Sequence, residues 1–111
     1  MTIKIKNLTF KTIIGVLKFE RLKKQKVIIN LKAKYIYKNN NYINYVELNQ
    51  LIKNRLQQKK FELLEDAIND IISQIVTKYP TIKKLKLEIT KPDILKDCQV
   101  SISKKWGVKK N

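Results

Sequence analysis

The chain of 111 residues has no histidine, one cysteine and only two glycines and two prolines. Without histidine, acid–base chemistry has to come from Lys, Glu, Asp, Tyr or the single thiol of Cys98. One cysteine excludes a disulfide framework and a cysteine-based metal motif. Phosphate-loop, dinucleotide-binding and metal-ligand spacings are also missing, so we expect no metal and no cofactor.

Long apolar runs are absent as well. None approaches the ~18 residues that a membrane-spanning helix needs, and the N-terminus alternates lysine with isoleucine instead of forming a signal-peptide core. We therefore expect a cytoplasmic protein without a membrane partner.

Acidic residues are scarce, with nine Asp and Glu against 25 Lys and Arg, which gives a formal charge of +16. Such a charge is typical of nucleic-acid-binding proteins, and a small basic module of that kind is one hypothesis. However, Lys, Ile and Asn fill 50 of the 111 positions, a bias that AT-rich coding produces by itself. The lysines are spread along the chain, and only two arginines offer the forked geometry that reads base edges. We expect no specific nucleic-acid partner.

Alternation of apolar and polar residues predicts four strands, over residues 3–14, 25–37, 82–89 and 99–103. Apolar residues at helical spacing predict two helices, over 45–58 and 61–78. The order β-β-α-α-β-β favours an α+β domain with two helices on one face of a four-stranded antiparallel sheet. We assign this single domain to residues 1–105, and we expect residues 106–111 to form a frayed basic tail.

Four polar residues are candidates for chemistry on position alone. Glu65 lies early in a strongly apolar helix, Lys91 ends a strand, Glu20 lies in the loop over residues 17–25, and Tyr45 begins a helix. Each also has an ordinary explanation. An acid favours a helix start, Lys91 is one of 23 lysines, Glu20 can be a surface carboxylate, and Tyr45 can be a packing aromatic.

Four segments together resemble the dihydroneopterin aldolase family. Residues 12–21 (TIIGVLKFER) resemble its "IGVxxxER" segment, and 43–45 (INY) resemble its "V-[DN]-Y". Residues 61–68 (FELLEDAI) resemble "FxLIExLA", and 87–92 (LEITKP) resemble "VRVSKPG". Their order and spacing cover about residues 2–105.

The resemblance implies the tunnelling fold, in which four subunits join their sheets into a ring-shaped barrel and two rings commonly stack. It implies a homo-oligomer, tetramer or octamer, with a pterin bound between subunits. Glu65 would grip the pterin ring, and Leu64 and Ile43 would offer it backbone groups. Lys91 would be the catalytic acid and base, Tyr45 a proton relay, and Glu20 the loop glutamate, with Glu20 and Tyr45 reaching a site shared with a neighbour.

The implied activity is that of an aldehyde-lyase of folate biosynthesis. It cleaves 7,8-dihydroneopterin by a retro-aldol reaction to 6-hydroxymethyl-7,8-dihydropterin and glycolaldehyde. The substrate's own C=N bond accepts the electrons released on C–C cleavage, so positioned acids and bases suffice.

The chain also departs from the family. Asp93 replaces the glycine of "KPG", Gln99 replaces a glycine of the last strand, Tyr42 replaces a threonine, and the loops after Tyr37 and Pro92 are shortened. The alternatives therefore include a dihydroneopterin epimerase, or its triphosphate-acting relative, and a ring that has lost catalysis and serves as a scaffold.

Overall fold

Four long strands form one antiparallel sheet in the computed structural model, which describes residues 1–109. Their order in the sheet, β1-β2-β3-β4, is their order along the chain. The strands are β1 Thr2–Thr12, β2 Gln25–Tyr35, β3 Ile82–Lys91 and β4 Val100–Gly107. The helices are α1 Lys18–Leu22, α2 Tyr45–Lys59 and α3 Leu64–Lys78.

The α+β class and the β-β-α-α-β-β order are confirmed, with α2 and α3 packed on one face of the sheet. The alternation in β2 puts Val27, Ile29 and Leu31 into the core, where they contact the apolar faces of the two helices. On the opposite face the strands carry mainly lysine. None of the helices among residues 1–109 is both long and apolar enough to cross a membrane.

The break in the alternation of β1 is a β-bulge. The register with β2 shifts between Ile5 and Leu8, and Asn7 lies there with a φ of 57°. Asparagine tolerates this left-handed conformation, and the Asn7 N–H is satisfied by Oδ1 of Asn30 at 3.0 Å.

Several boundaries differ from the sequence-based prediction, and two of these differences involve the loop after β1. The predicted loop over residues 17–25 contains α1, a single turn too short to show a hydrophobic period. Helix α3 begins at Leu64 instead of residue 61, because the carbonyl of Phe61 accepts hydrogen bonds from Gly15 and Arg21 outside any helix.

The prediction of a tail from residue 106 is wrong at its start. Trp106 and Gly107 continue β4, in register with Leu85 and Lys84 of β3, and Trp106 packs against the core. Val108 then donates its N–H to the carbonyl of Lys83 at 3.0 Å. Apolar burial and this added hydrogen bond outweigh the basic composition of the segment. Residues 110–111 of the predicted tail lie outside the described residues.

Candidate functional site

The loop after β1 is built around a contact between Gly15 and Glu20. Gly15 has a φ of 130°, a conformation that side chains of L-residues rarely adopt. A Cβ at this position would overlap the carboxyl group of Glu20. The glycine therefore leaves the space that the carboxylate of Glu20 occupies.

Glu20 forms an ion pair with Lys91 across 71 residues of sequence. The Lys91 Nζ donates to Oε2 of Glu20 at 2.7 Å, and the two residues are only 7% and 4% exposed. A charged pair this well buried requires further hydrogen bonds to offset its desolvation. Oε2 also accepts from Nε2 of Gln25 at 2.8 Å, and Oε1 accepts from the N–H of Leu17 at 3.2 Å.

These contacts keep the carboxylate ionised. Burial alone would raise the pKa of Glu20, but the hydrogen bonds from Lys91, Gln25 and the Leu17 N–H, with the positive charge of Lys91, outweigh burial and lower it. At neutral pH Glu20 is therefore a carboxylate in contact with the Nζ of Lys91. A proton donor and a proton acceptor thus lie side by side at the carboxyl end of β3.

Arg21 ties this loop to the junction between α2 and α3. Its Nη1 donates to the carbonyls of Gly15 and Phe61, each at 3.2 Å, and its Nη2 donates to the carbonyl of Lys60 at 2.8 Å. Gln25 closes the loop from the other side through the carbonyl of Ile14 at 2.7 Å. The sequence-based search missed Arg21 and Gln25. For Arg21 a signal existed, since it is one of two arginines and directly follows Glu20.

Glu65 and Leu64 lie in the first turn of α3, beside the edge strand β4. Leu64 is buried and Glu65 is exposed, and the helix start carries no side-chain cap, so its first N–H groups remain available. Glu65 borders a small hollow of about 190 Å³ together with residues 102–104 of β4. Lys91 pairs with Val100 of the same strand, two residues before Ile102, the first β4 residue of this hollow.

Ile43 and Tyr45 lie at the other end of the molecule. Ile43 is buried, whereas Tyr45, the first residue of α2, is 65% exposed. Helix α2 has 15 residues and is about 22 Å long. Arg21 donates to the carbonyl of Lys60, just beyond the last residue of this helix, whereas Tyr45 is its first residue. A single chain therefore does not bring Tyr45 to Lys91.

That Glu20 and Tyr45 reach a site shared with a neighbouring subunit stays a prediction. Within one chain Glu20 contacts Lys91. Tyr45 is separated from both. Of the six predicted residues, Glu20 and Lys91 form one contacting pair, Leu64 and Glu65 lie together at the start of α3, and Ile43 and Tyr45 lie at the opposite end.

Four lysines surround a second hollow, of about 390 Å³, on the open side of Glu20. Glu20 and Gln25 form part of its wall, and Asp93 lies on its rim. The lysines are Lys11, Lys23, Lys24 and Lys26. Lys23, Lys24 and Lys26 are close together in the sequence, and the pairing of Lys11 with Lys26 across β1 and β2 adds the fourth.

A family model and a curated relative both connect this chain with proteins named for dihydroneopterin. The family model described as FolB, dihydroneopterin aldolase, matches residues 3–103. A dihydroneopterin triphosphate 2'-epimerase of Pseudomonas aeruginosa is 29% identical over 101 residues, covering 85% of this chain and 81% of the relative.

Two solved structures share the fold, which is the tunnelling fold. A Vibrio cholerae protein described as a dihydroneopterin aldolase superposes with a TM-score of 0.88 at 21% identity, covering 97% of this chain and 98% of that one. The Escherichia coli dihydroneopterin aldolase, solved in complex with neopterin, superposes with a TM-score of 0.83 at 15% identity, covering 96% and 99%.

Proposed function

The chain belongs to the dihydroneopterin aldolase (FolB) family, and on that premise we propose that it cleaves the side chain of 7,8-dihydroneopterin by a retro-aldol reaction. The observation that carries the proposal is the buried pair of Lys91 and Glu20 at 2.7 Å, next to the stretch of β4 that Glu65 borders. Proton transfer and ring binding require such groups side by side.

In the proposed complex Glu65 accepts two N–H bonds from the pterin ring, and free N–H groups of the first turn of α3, beginning at Leu64, bind its oxygen. Ring binding at the edge of β4 directs the substrate side chain along the strand towards Lys91. A carboxylate and backbone groups fixed on a helix hold the ring rigidly, and this fixes the geometry of the reacting bond.

The reaction needs one proton removed and one proton delivered. A base takes the proton of the 2'-hydroxyl, the C1'–C2' bond breaks, and the electron pair moves into the conjugated C=N bond of the dihydropterin. Glycolaldehyde leaves, and the resulting enamine is protonated at C1'. We assign both transfers to Lys91: as a neutral amine it accepts the hydroxyl proton through Tyr45, and the ammonium so formed delivers a proton to C1', while Glu20 holds Nζ in place.

Because Tyr45 lies about one helix length from Lys91 in one chain, the complete site requires a second subunit. Among residues 1–109 the outer strands β1 and β4 each leave one edge unpaired, and joining β4 of one subunit to β1 of the next would satisfy both edges. We infer a closed ring, a tetramer or a stacked octamer. Its heterologous interface brings Ile43 and Tyr45 to the Lys91 of a neighbour.

The direct test is an assay of purified protein with 7,8-dihydroneopterin, following 6-hydroxymethyl-7,8-dihydropterin and glycolaldehyde. We expect product from the natural sequence, and losses of about 10²–10⁴ in kcat for Lys91→Ala. Glu65→Ala is expected chiefly to raise KM, because Glu65 binds the ring. Absence of both turnover and pterin binding in a correctly assembled protein would contradict the assignment.

Subunit mixing tests the shared site. Lys91→Ala and Tyr45→Ala are each expected to be nearly inactive. When the two are unfolded and reassembled in equal amounts, roughly a quarter of the sites in a ring combine an intact Lys91 with an intact Tyr45. We expect about that fraction of activity to return. If activity does not return although mixed oligomers form, the two residues do not share a site across the interface.

A second candidate is epimerisation of a phosphorylated substrate, favoured by the four-lysine hollow beside Glu20 and by the resemblance to the Pseudomonas aeruginosa epimerase. The same bond cleavage serves both reactions, because an aldehyde that adds back to the other face inverts C2'. Comparing kcat/KM for dihydroneopterin and its triphosphate, and analysing whether the product is the C2' epimer or the cleaved pterin, separates the two. Epimer formation with a preference for the triphosphate that disappears in Lys23→Gln with Lys24→Gln would establish the second candidate.

A further inference from the structure

The face of the sheet that the helices leave open carries a continuous row of lysines. Lys4 pairs with Lys32, Lys32 with Lys86, and Lys86 with Lys105, so one lysine from every strand lies in a single line. All four are exposed. Adjacent strands are about 4.8 Å apart, so the row extends roughly 14 Å across the sheet.

A second pair extends this row into a patch. Lys34 and Lys84 pair with each other two residues further along their strands, on the same face and about 6.6 Å from the row. Five of these six lysines border one hollow of about 350 Å³, and Lys4 borders the adjoining one. We call these six lysines the lysine face.

Within the protein little compensates this charge. Glu88 is the only acidic residue in the four strands, and among residues 1–109 no lysine of the lysine face forms an ion pair. Like charges directly opposite each other in a sheet repel and destabilise it. The repulsion disappears when an anion with several closely spaced charges lies along the row.

The chemistry of the lysine face selects the kind of anion. The three aromatic residues of the strands, Phe10, Tyr35 and Trp106, all pack against the core, and of the three Trp106 alone borders the hollow of about 350 Å³, so the face lacks the row of aromatics on which successive nucleobases stack. The two arginines, Arg21 and Arg55, lie in α1 and α2. The lysine face therefore presents mainly ammonium groups, each of which acts as a point charge. Their positive charges complement a chain of phosphates that carries no bases.

We propose that the lysine face is a binding site for linear inorganic polyphosphate. The site is distinct from the group around Glu20 and Lys91, and it depends neither on the proposed reaction nor on the identity of the pterin. In the inferred ring, the lysine faces of all subunits would line the central passage and so form one larger site.

The test is calorimetric titration of the protein with sodium polyphosphate of a defined chain length, at several salt concentrations. A face variant changes four lysines to glutamine: Lys32, Lys34, Lys84 and Lys86. A matched control makes the same change in net charge at four exposed, scattered lysines: Lys38, Lys59, Lys96 and Lys109.

We expect the face variant to lose at least about tenfold in affinity and to show a weaker salt dependence, whereas the control loses less than about threefold. Equal losses in the two variants would show that net charge alone binds the polymer, and this would overturn the proposal. The single substitution Lys86→Gln, compared with Lys59→Gln, provides the same contrast if a fourfold variant does not fold.

A single-stranded oligonucleotide of equal charge identifies the occupant. We expect it to bind more weakly than polyphosphate, because Trp106 is the single aromatic residue of the strands beside the lysine face and no row of stacking residues is present. Tighter binding of the oligonucleotide, lost in the face variant, would overturn the proposal in favour of a nucleic-acid site.

Discussion

The two ends of the sheet differ in how fully their side chains are buried and hydrogen-bonded within one chain. At the carboxyl end of β3, Glu20 and Lys91 are buried and Gly15, Arg21 and Gln25 hold the loop around them. At the opposite end Tyr45 is 65% exposed, although its neighbour Asn44 caps α2 by accepting the N–H of Val46 at 3.0 Å.

This difference indicates how the two ends are stabilised. The Glu20–Lys91 end is already satisfied within one chain, so changes there should alter folding as well as activity. The Tyr45 end leaves an aromatic side chain in solvent, so changes there should alter activity and assembly while the isolated chain keeps its stability. Four predictions test this contrast, in order of decreasing effect on the free energy of unfolding.

The largest effect is expected for Lys91→Met. The substitution leaves the carboxylate of Glu20 buried without its cation, which typically costs about 3–5 kcal/mol. Adding Glu20→Gln to the same chain removes the uncompensated charge, so the double variant should recover much of that loss. Chemical denaturation of the single and double variants measures the coupling. Additive losses would mean that the ion pair contributes nothing specific.

Gly15→Ala is expected to cost about 1–3 kcal/mol from backbone strain alone, with a further cost because its Cβ displaces the carboxylate of Glu20. The matched control is Gly107→Ala, where the nearest atom to a new Cβ is 3.9 Å away. We expect the control to change stability by less than ~0.5 kcal/mol. Similar thermal melting of the two variants would show that the contact between Gly15 and Glu20 does not constrain the loop.

The pH dependence of the free energy of unfolding tests the Glu20–Lys91 end of the sheet. Because the pKa of Glu20 is lowered in the folded chain, the folded state binds fewer protons than the unfolded state near the usual value of 4.5. Its contribution is therefore fully present above pH 4.5 and is lost as the pH falls below that value. Glu20→Gln should flatten this part of the stability profile.

A comparison variant for the pH profile is Glu47→Gln. The pKa of Glu47 is also lowered, mainly by its hydrogen bond with Lys78, in an exposed pair with an N–O distance of 2.8 Å. Solvent screens such pairs, so this variant should change the acid limb less than Glu20→Gln does. The reverse order would contradict a special role for the buried pair.

The smallest effect on folding is expected for Tyr45→Ala. The exposed side chain contributes little within one chain, so the stability of the isolated chain should change by less than ~0.5 kcal/mol. Activity should nevertheless fall by at least about tenfold if Tyr45 relays a proton. Denaturation at low protein concentration, combined with the turnover assay, separates the two effects. A large loss of stability in the monomer would remove the contrast between the two ends.

The sequence was a good guide to the elements that repeat a pattern and a poor guide to those that do not. Val27, Ile29 and Leu31 alternate over a long strand, and their burial follows from that period. The turn of α1 has five residues, and its position depends on Glu20 accepting the Leu17 N–H and on Arg21 reaching three distant carbonyls. Contacts between residues far apart in the sequence produce no periodic pattern from which the element could be predicted.

The same distinction holds for the candidate site. Glu20, Glu65 and Lys91 were predicted through short motifs, but Gln25 carried no signal, because its importance comes from the two oxygens that its amide contacts. The lysines are spread along the sequence, and strand pairing brings several of them together in the hollow beside Glu20 and in the lysine face.

The sequence by itself determined the α+β class, the order of the main elements and the family, because local periodicity and short motifs are written in consecutive residues. Only the tertiary structure decided that Lys91 pairs with Glu20 within one chain, that Tyr45 lies a helix length away, and which lysines become neighbours. These relations depend on sheet register and helix length, which bring together residues as far as 71 positions apart.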